Sequence, residues 1–339
     1  MIKPLVTVII VNWNGIKYLP DCLRSLAAVS YKHLEILFVD NASTDDSVVY
    51  VKKHFPKIKL FHNKKNLGYA QGHQIALEKA KGNAILLLST DTIVQPNVID
   101  ELIRTLYSNP RIGAVQPKLL LYGEKNKIDS IGVFFLKSGV LYHFGRGKNA
   151  SLPIYNNPME IYSAKGACML FKREVLKKTG LFDNDYFAYF EETDLCHRIW
   201  LAGYKIVYTP RTEVVHKGGG SAKQMVPSYI YFHSYKNRLC TYIKNFSTTY
   251  LFAIVPKVLL LYELLTLVYL FTGKTANAIA VQKSILWNII YLPQTLKKRK
   301  FVQSSVRKVN DGDFMPNITR SVRLSYYYYL FSNLSNYID

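Results

Sequence analysis

The segment LVTVIIVNWNG (residues 5–15) places a run of apolar and β-branched residues directly before a polar turn. The run is short for the apolar core of a signal peptide, and no small-residue cleavage site follows it. β-Branched residues favour strands, whereas the Asn and Gly that follow mark a turn. The segment therefore predicts a buried first strand that turns into a helix.

Outward from this segment, short β-branched runs alternate with helical patterns. The predicted strands lie at residues 6–11, 34–39, 58–61, 84–88 and 112–116, and the predicted helices at 18–27, 46–54, 70–80 and 97–107. Strands that alternate with helices form βαβ units, whose parallel sheet is covered by helices on both faces. The sequence thus predicts an α/β fold, and such sheets bind ligands beyond the carboxyl ends of their strands.

The pattern changes twice in the rest of the chain. Glycine-spaced pieces between residues 119 and 162 predict a hairpin excursion from the sheet. Further strands are predicted at 163–171, 204–210 and 212–216, and further helices at 173–179 and 193–202. Beyond KGGGS (residues 217–221) the sequence becomes helical, aromatic and basic. We therefore expect an α/β domain at 1–225, an apolar and basic helical region at 226–310, and a Tyr-rich tail at 311–339.

Two acids follow neighbouring predicted strands. Asp40 ends the second strand, and Asp91 comes three residues after the fourth. The amide-rich stretch NKKNLGYAQGHQ (residues 63–74) adds further polar groups at the same predicted edge, so a polar crevice is expected there. Ser43 or Thr44 is predicted to cap the helix that follows Asp40.

A third acidic group, in YFEETDLCHR (residues 189–198), has two readings. Glu191, Glu192 and Asp194 precede an apolar ladder at helical spacing. Acids in the first turn of a helix interact favourably with its dipole, which makes a solvated helix start the plain interpretation. The other interpretation is a catalytic acid or base at the lip of a cleft. The residues alone leave both open.

Seven motifs in order resemble those of inverting family 2 glycosyltransferases, most closely the rhamnosyltransferase-like branch. The motifs are VTVIIVNWNG, FVDNASTDDS, NLGYAQGHQIALEKAKG, LLLSTDTIVQP, GACMLFKREVLKKTGLFD, YFEETDLCHRIWLAGYK and VVH. The resemblance covers about residues 5–221. It implies a GT-A fold, a nucleotide-sugar donor, a divalent cation (Mg²⁺ or Mn²⁺) and inversion at the anomeric carbon.

The resemblance also implies roles for individual residues. Glu192 matches the general base, flanked by Glu191 and Asp194 in supporting positions. Asp91 and His216 match the metal-contacting positions. The residues expected to bind the donor are Asn12, Asn14, Asp40, Asn66, Gly68, Gln71, Thr90 and Asp91. The KGGGS segment could form a loop that closes over the diphosphate; without the resemblance it reads as a linker.

One departure from the family pattern bears on activity. The DxD motif reads Ser89-Thr90-Asp91, so its first carboxylate is missing. Mg²⁺ can be held by one carboxylate with substrate phosphates and water, and a histidine ligand suits Mn²⁺ better. An enzyme is therefore expected, with a catalytically weak or inactive scaffold subunit of a glycan-assembly complex as the alternative.

Charge and hydropathy of the last third indicate a membrane surface. Of the formal net charge of +21, a large share lies between residues 236 and 308, where twelve Lys and Arg face one acid, Glu263. The apolar runs 251–272 and 276–292 are predicted to form a helical hairpin lying in the interface, with basic residues toward lipid phosphates. Two transmembrane spans are the alternative.

The partners follow from this placement. Membrane attachment suggests a lipid-borne acceptor, such as a polyprenyl-diphosphate glycan at the cytoplasmic face of the cell membrane. Four scattered cysteines without a paired spacing fit a reducing compartment. No nucleic-acid-binding motif accompanies the positive charge. The chain also lacks the GxGxxG of dinucleotide dehydrogenases and the glycine-rich loop of nucleotidyltransferases. The Tyr-rich tail could contact a membrane or a second copy of the chain.

Overall fold

A computed structural model of the chain describes residues 3–218, 220 and 225–331. The strands are β1 (Val6–Asn12), β2 (Leu34–Asp40), β3 (Lys59–His62), β4 (Ala84–Leu88), β5 (Thr92–Val94), β6 (Ile112–Leu121), β7 (Ile128–Ser130), β8 (Phe134–Leu136), β9 (Leu141–Tyr142), β10 (Met159–Glu160), β11 (Cys168–Lys172), β12 (Lys205–His216) and β13 (Thr319–Arg320). The helices are α1 (Leu19–Ala27), α2 (Ser47–His54), α3 (Gly68–Lys79), α4 (Val98–Leu106), α5 (Arg173–Thr179), α6 (Glu191–Leu201), α7 (Pro227–Asn245), α8 (Thr248–Phe271), α9 (Thr275–Ile290), α10 (Leu292–Phe301), α11 (Asp311–Ile318) and α12 (Ser325–Phe331).

A ten-stranded mixed sheet forms the centre of the α/β part. Its main path runs β10-β12-β6-β11-β4-β1-β2-β3, with β5 beside β12 and β7 beside β6. Strands β3, β2, β1 and β4 are parallel to one another, whereas β11 runs antiparallel between β4 and β6. The carboxyl ends of β1, β2 and β4 therefore meet at one edge, where open α/β sheets bind ligands.

Hydrophobic cores cover both faces of the sheet, as the βαβ pattern predicts. Successive residues of a strand point to opposite faces. Val8 and Ile10 of β1 accordingly pack in the core that includes α1 and α4, whereas Ile9 packs in the core on the other face. That second core continues without interruption into α7, α8 and α9.

The structure confirms the hairpin excursion and revises several boundaries; β11, predicted at 163–171, begins at Cys168. Strands β8 and β9 pair antiparallel, and β13 joins them in a small second sheet. The two extended segments predicted at 204–210 and 212–216 form one strand, β12, with a bulge between Thr209 and Glu213. Helix α6 begins at Glu191 rather than at residue 193, so Glu192 lies inside its first turn.

The C-terminal helices present an apolar surface. Helices α8 and α9 form a hairpin in which Gln282 Nε2 donates to Glu263 Oε2 at 3.0 Å, so the acid near the middle of α8 has a polar partner. Among the described residues, α8 alone is long and apolar enough to cross a membrane by length and composition. One face of α8 packs on the protein, while Leu260, Leu264 and Phe271 are exposed on the other.

Candidate functional site

A cavity of about 250 Å³ opens at the carboxyl ends of β1 and β4. This main cavity is lined by Val11, Trp13, Asn41, Asn66, Gly68, Tyr69, His73, Leu88, Ser89, Thr90, Asp91, Phe187, Ala188, Tyr189, Glu191, Glu192, His216, Gly220 and Met225. Side chains from the strand ends, from the start of α3 and from the start of α6 thus converge on one space. The crevice predicted from Asp91 and the amide-rich stretch therefore has a structural counterpart.

The residues assigned by resemblance divide into two groups. Seven of them line the main cavity: Asn66, Gly68, Thr90, Asp91, Glu191, Glu192 and His216. Asn12, Asn14, Asp40, Gln71 and Asp194 are not among its lining residues. Gln71 lies on α3 and donates through Nε2 to the carbonyl of Asn184.

Asn12 and Asp40 form a buried polar group behind the cavity wall. Their strands pair in register, so Asn12 Nδ2 donates to Asp40 Oδ1 at 3.1 Å. The backbone N–H of Ser43 donates to Asp40 Oδ2, and His62 Nδ1 lies 3.0 Å from the same oxygen. Neither Asn12 nor Asp40 is exposed to solvent. These contacts fix the turn that carries Trp13 into the cavity.

The predicted capping of α2 by Ser43 or Thr44 is wrong. Helix α2 begins at Ser47, and its backbone N–H is bonded by Asp45 Oδ1 at 3.1 Å. The Ser43 hydroxyl instead accepts from Asn12 Nδ2 and from the backbone N–H of Asn14. The hydroxyl therefore joins the β1 and β2 turns and is not available to the helix.

A chain of buried polar side chains links Asp91, His216 and Asp129. His216 Nδ1 lies 2.7 Å from Asp129 Oδ2, and His216 Nε2 lies 3.5 Å from Asp91 Oδ1. Burial lowers the pKa of His216, but its two carboxylate partners outweigh burial and leave that pKa raised. For Asp91, burial raises the pKa and His216 more than offsets it. The carboxylate of Asp91 also accepts from the backbone N–H of Gly220 at 3.1 Å.

Asp129, Lys165 and Arg146 join this group, although nothing in the sequence singles them out. Lys165 Nζ lies 2.6 Å from Asp129 Oδ2, and Arg146 Nη1 lies 2.6 Å from Oδ1. Burial raises the pKa of Asp129, but His216, Lys165 and Arg146 hold it well below its ordinary value. Asp129 lies in β7, Arg146 follows β9 and Lys165 precedes β11, all far from His216 in sequence. No motif or spacing connects them.

Gly220 is the described part of the KGGGS segment that reaches the cavity. Residues 219 and 221 of that segment lie outside the described residues. Within the described residues this segment bonds Asp91 twice: the Lys217 N–H donates to the Asp91 carbonyl at 2.8 Å and the Gly220 N–H to its carboxylate at 3.1 Å. Closure of the segment over a diphosphate stays a prediction.

Two consecutive residues in the left-handed region precede the acidic cluster. Tyr189 and Phe190 both have φ of 69°, a conformation that is strained for bulky side chains and persists only where other contacts hold it. Asn237 of α7 supplies such contacts, since its Nδ2 donates to the carbonyls of Ala188 at 3.0 Å and Tyr189 at 2.6 Å. The turn directs the start of α6, and with it Glu192, to the cavity.

Glu191 and Glu192 each hold a buried carboxylate oxygen without a partner. Among the described residues, no hydrogen-bond donor reaches Oε2 of either side chain. Burial raises the pKa of Glu192, and burial together with the charge of Glu192 raises the pKa of Glu191 well above its ordinary value. A buried carboxylate of raised pKa that lines a cavity is a typical general acid or base.

Asp194 has a structural environment different from that of the other two acids. It is fully buried and accepts from Arg198 Nη2 at 2.8 Å, from Lys244 Nζ at 2.9 Å and from Asn245 Nδ2 at 2.9 Å. The N-cap of α6 is Phe190, and Asp194 lies in the first turn of the helix. Its carboxylate joins α6 to α7.

Comparison with known proteins gives a matching family and similar structures. The family model described as glycosyl transferase family 2 matches residues 7–180, just over half of the chain. The chain is 27% identical over 246 residues to the N-acetylglucosaminyl-diphospho-decaprenol L-rhamnosyltransferase of Mycobacterium tuberculosis, covering 67% of this chain and 80% of that protein.

Two solved structures share the fold. GalNAc-T7, crystallised with UDP, GalNAc and Mn²⁺, is similar with a TM-score of 0.57 and 19% identity, over 73% of this chain and 49% of that chain. The mannosyltransferase PcManGT of Pyrobaculum calidifontis, in complex with GDP-Man and Mn²⁺, gives a TM-score of 0.54 and 18% identity over 85% of this chain and 88% of that chain. These likenesses establish the GT-A fold.

Proposed function

Because the chain belongs to glycosyltransferase family 2, we propose that it transfers a sugar, with inversion, from a nucleotide-sugar donor to a hydroxyl of a lipid-linked glycan. The observation that carries this proposal is the unpartnered Oε2 of Glu192 in a cavity that Asp91 and His216 also line. The name of the M. tuberculosis relative, which specifies a decaprenol-diphosphate-linked acceptor, supports the acceptor class.

Glu192 acts as the general base. Its carboxylate takes the proton of the acceptor hydroxyl, and the hydroxyl oxygen forms the new bond to the anomeric carbon. The bond from that carbon to the phosphate oxygen breaks, and the nucleoside diphosphate leaves with the electron pair. A single displacement of this kind inverts the anomeric configuration. General-base catalysis of this kind contributes about 10²–10⁴ in rate.

The donor occupies the main cavity. Asn66, Gly68 and Thr90 contact it directly, since all three line the cavity. Gly68 has φ of +77°, and a Cβ there would lie 2.2 Å from the carbonyl oxygen of Phe187, so glycine is required for this close approach. Asn12, Asn14, Asp40 and Gln71 are proposed to contribute from behind the wall, by fixing the turns that present the nucleoside-binding groups.

Asp91 and His216 would hold a divalent cation. Two ligands about 2.1 Å from one ion and at about a right angle lie about 3 Å apart, close to the 3.5 Å between Asp91 Oδ1 and His216 Nε2. Asp129 bonds the other ring nitrogen, an arrangement typical of metal-bound histidine. The described residues contain no group of three or more such ligands, so donor phosphates and water would complete the shell. The cation would neutralise charge on the diphosphate.

The apolar surface of α8 and α9 is proposed to lie on the cytoplasmic face of the cell membrane. Phe252, Leu260 and Leu264 of α8 and Ile289 of α9 are all more than half exposed, and the surrounding region is basic. Such a surface suits an anionic bilayer, and its position would deliver a lipid-borne acceptor. The division at residue 225, the homo-oligomer and the membrane contact of the tail stay predictions; residues 332–339 lie outside the described residues.

Incubation of the purified protein with Mn²⁺ or Mg²⁺ and a panel of UDP-, GDP- and dTDP-sugars tests the proposal. We expect slow hydrolysis of one donor class, lost in Asp91→Ala and kept in Glu78→Ala, which changes an exposed acid of α3. Binding of none of these nucleotides would contradict the proposal. That outcome would favour the scaffold subunit, the alternative raised by the missing first carboxylate of the DxD motif.

A further inference from the structure

A second cavity, of about 180 Å³, adjoins the main cavity at Glu192. Among the described residues, Glu192 alone lines both cavities. Around it the second cavity presents the hydroxyls of Ser130, Ser163 and Thr193 and the apolar side chains of β8–β9 region residues such as Leu141. At about 30 Å³ for each water molecule, the space holds about six waters, which is the room of one sugar ring and not of an oligosaccharide.

The second cavity presents two partly exposed cations. Arg146 and Lys165 line it, and both bond the single carboxylate of Asp129, which is almost fully buried beneath them. Burial lowers the pKa of His143 to about 3, so this lining residue adds no charge at neutral pH. The lining thus holds two cations and two carboxylates, Asp129 and Glu192, and the Asp129 carboxylate is bonded by His216 as well as by both cations.

The guanidinium of Arg146 retains binding capacity. In the part of the chain that the structure describes, it donates through Nη1 alone, to Asp129 Oδ1 at 2.6 Å and to the Asp129 carbonyl at 3.1 Å. The Nε–Nη2 edge remains for a ligand. This edge has the fork geometry that matches two oxygens of a phosphate. The Arg146 and Lys165 side chains are 38% and 31% exposed, so an anion in the cavity can reach both.

One wall of the second cavity rests on the apolar helices. Leu141 belongs to the β8–β9 hairpin, whose turn residue Gly139 packs so closely against α8 that a Cβ would lie 2.4 Å from Val258 Cγ2. Tyr242 of α7 donates to the Gly139 carbonyl at 2.8 Å. The hairpin therefore connects the cavity to the helix whose outer face is apolar and exposed. A molecule with its lipid beside α8 would have its head group near this cavity.

We propose that the second cavity is the acceptor subsite, in which Arg146 and Lys165 bind a phosphate of a lipid-diphosphate-linked sugar while Glu192 contacts its reacting hydroxyl. This inference rests on the proposed function and adds the feature that the acceptor is recognised by its anion. A lipid-linked diphosphate and free pyrophosphate present the same oxygens to the fork, so the experiment compares the two. The sugar ring lies between the phosphate and the base.

Two acceptors that differ only in the anion test this proposal. N-Acetylglucosaminyl-diphospho-farnesol is compared with farnesyl N-acetylglucosaminide, using the donor found in the panel. The wild-type chain is expected to prefer the diphosphate acceptor in kcat/KM. Arg146→Met is expected to reduce that preference about tenfold or more, because a hydrogen bond between charged groups is lost. Inorganic pyrophosphate is expected to compete with the diphosphate acceptor only weakly, since it lacks the sugar and lipid.

Two further variants make the test specific. Arg146→Lys keeps a charge beside Asp129 but loses the fork, so its acceptor preference is expected between those of wild type and Arg146→Met. Arg104→Met removes an exposed arginine on α4 that pairs with Glu101 and is expected to keep the wild-type preference. If both Arg146 variants lose activity equally with the two acceptors, Arg146 only supports Asp129 and the proposal is overturned. Strong inhibition by pyrophosphate that is competitive with the acceptor and not with the donor would also overturn it, as a free-anion site. Absence of donor turnover in the wild type would instead refute the proposed function.

Discussion

Asp194→Asn tests whether this acid stabilises the fold or takes part in the reaction. The substitution keeps the shape of the side chain but removes the charge that Arg198 and Lys244 share in a fully buried site. Removing one partner of a buried ion pair costs about 3–5 kcal/mol, because the remaining charge is left without compensation.

The structure places the expected loss near the lower end of that range. Lys244 keeps its ion pair with Asp183 at 2.6 Å, and Arg198 keeps its hydrogen bond to the Leu181 carbonyl at 2.6 Å. Neither cation is stranded, so we expect Asp194→Asn to lower the free energy of unfolding by about 3 kcal/mol. The matched control is Asp185→Asn, whose carboxylate pairs with Lys298 at the surface. That exposed pair predicts a loss below about 1 kcal/mol.

The lowered pKa of Asp194 determines how its contribution to stability changes with pH. Burial raises the pKa of Asp194, but Arg198 and Lys244 outweigh burial and hold the pKa below its ordinary value. The stabilisation is therefore present above the unfolded-state pKa of about 3.9 and is lost as the pH falls through the lower folded-state value. The difference between wild type and variant should be constant from neutral pH to about pH 5 and shrink in stronger acid.

Urea unfolding followed by circular dichroism at several pH values measures this difference. The m-value should stay unchanged, so the effect appears in the midpoint. Equal midpoints for wild type and Asp194→Asn, or an equal loss in Asp185→Asn, would refute the reasoning. A variant that stays stable but loses turnover would give Asp194 a chemical role instead.

Three further predictions concern the base, its support and the membrane. The acid limb of the pH–kcat profile should lie above about pH 4.3, the ordinary value for glutamate, because burial raises the pKa of Glu192; a limb at or below that pH would contradict this. Asn237→Ala should lower kcat about tenfold while donor affinity is kept, because the turn at Ala188 and Tyr189 loses two hydrogen bonds, and single-turnover kinetics with nucleotide titration separates the two. Exchanging exposed Phe271 for Asp should lower flotation with anionic vesicles about tenfold, and unchanged flotation would place the membrane surface elsewhere.

Strands and helices whose ends carry a clear local signal in the sequence were predicted correctly. The predicted bounds of β4 and α5 agree with the structure, since β4 is a fully buried apolar run and Gly180 ends α5 with φ of +71°. Asp91 could be found from the sequence because it lies three residues beyond the end of β4. Capping at Ser43 failed because its hydroxyl is used by residues of another turn, which no local pattern shows.

Long-range pairing limited what the sequence could predict of the site. Asp129 and His216 are 87 residues apart in sequence and meet at 2.7 Å only because β7 and β12 both flank β6. The side chain of Gln71 donates to the loop before α6. Gln71 was expected to bind the donor from its position in the family motif, but it does not line the main cavity. Pairings of this kind depend on the topology of the sheet and not on neighbouring residues.

The turnover and nucleotide affinity of Glu192→Gln, measured side by side, decide whether this carboxylate is the base. Glutamine keeps the size of the side chain in the wall between the two cavities but cannot take a proton. We predict that kcat falls by about 10²–10⁴ while the dissociation constant of the donor nucleotide stays near that of wild type and of the exposed control Glu78→Gln. Wild-type turnover in Glu192→Gln, or nucleotide binding lost in proportion to turnover, would contradict the account.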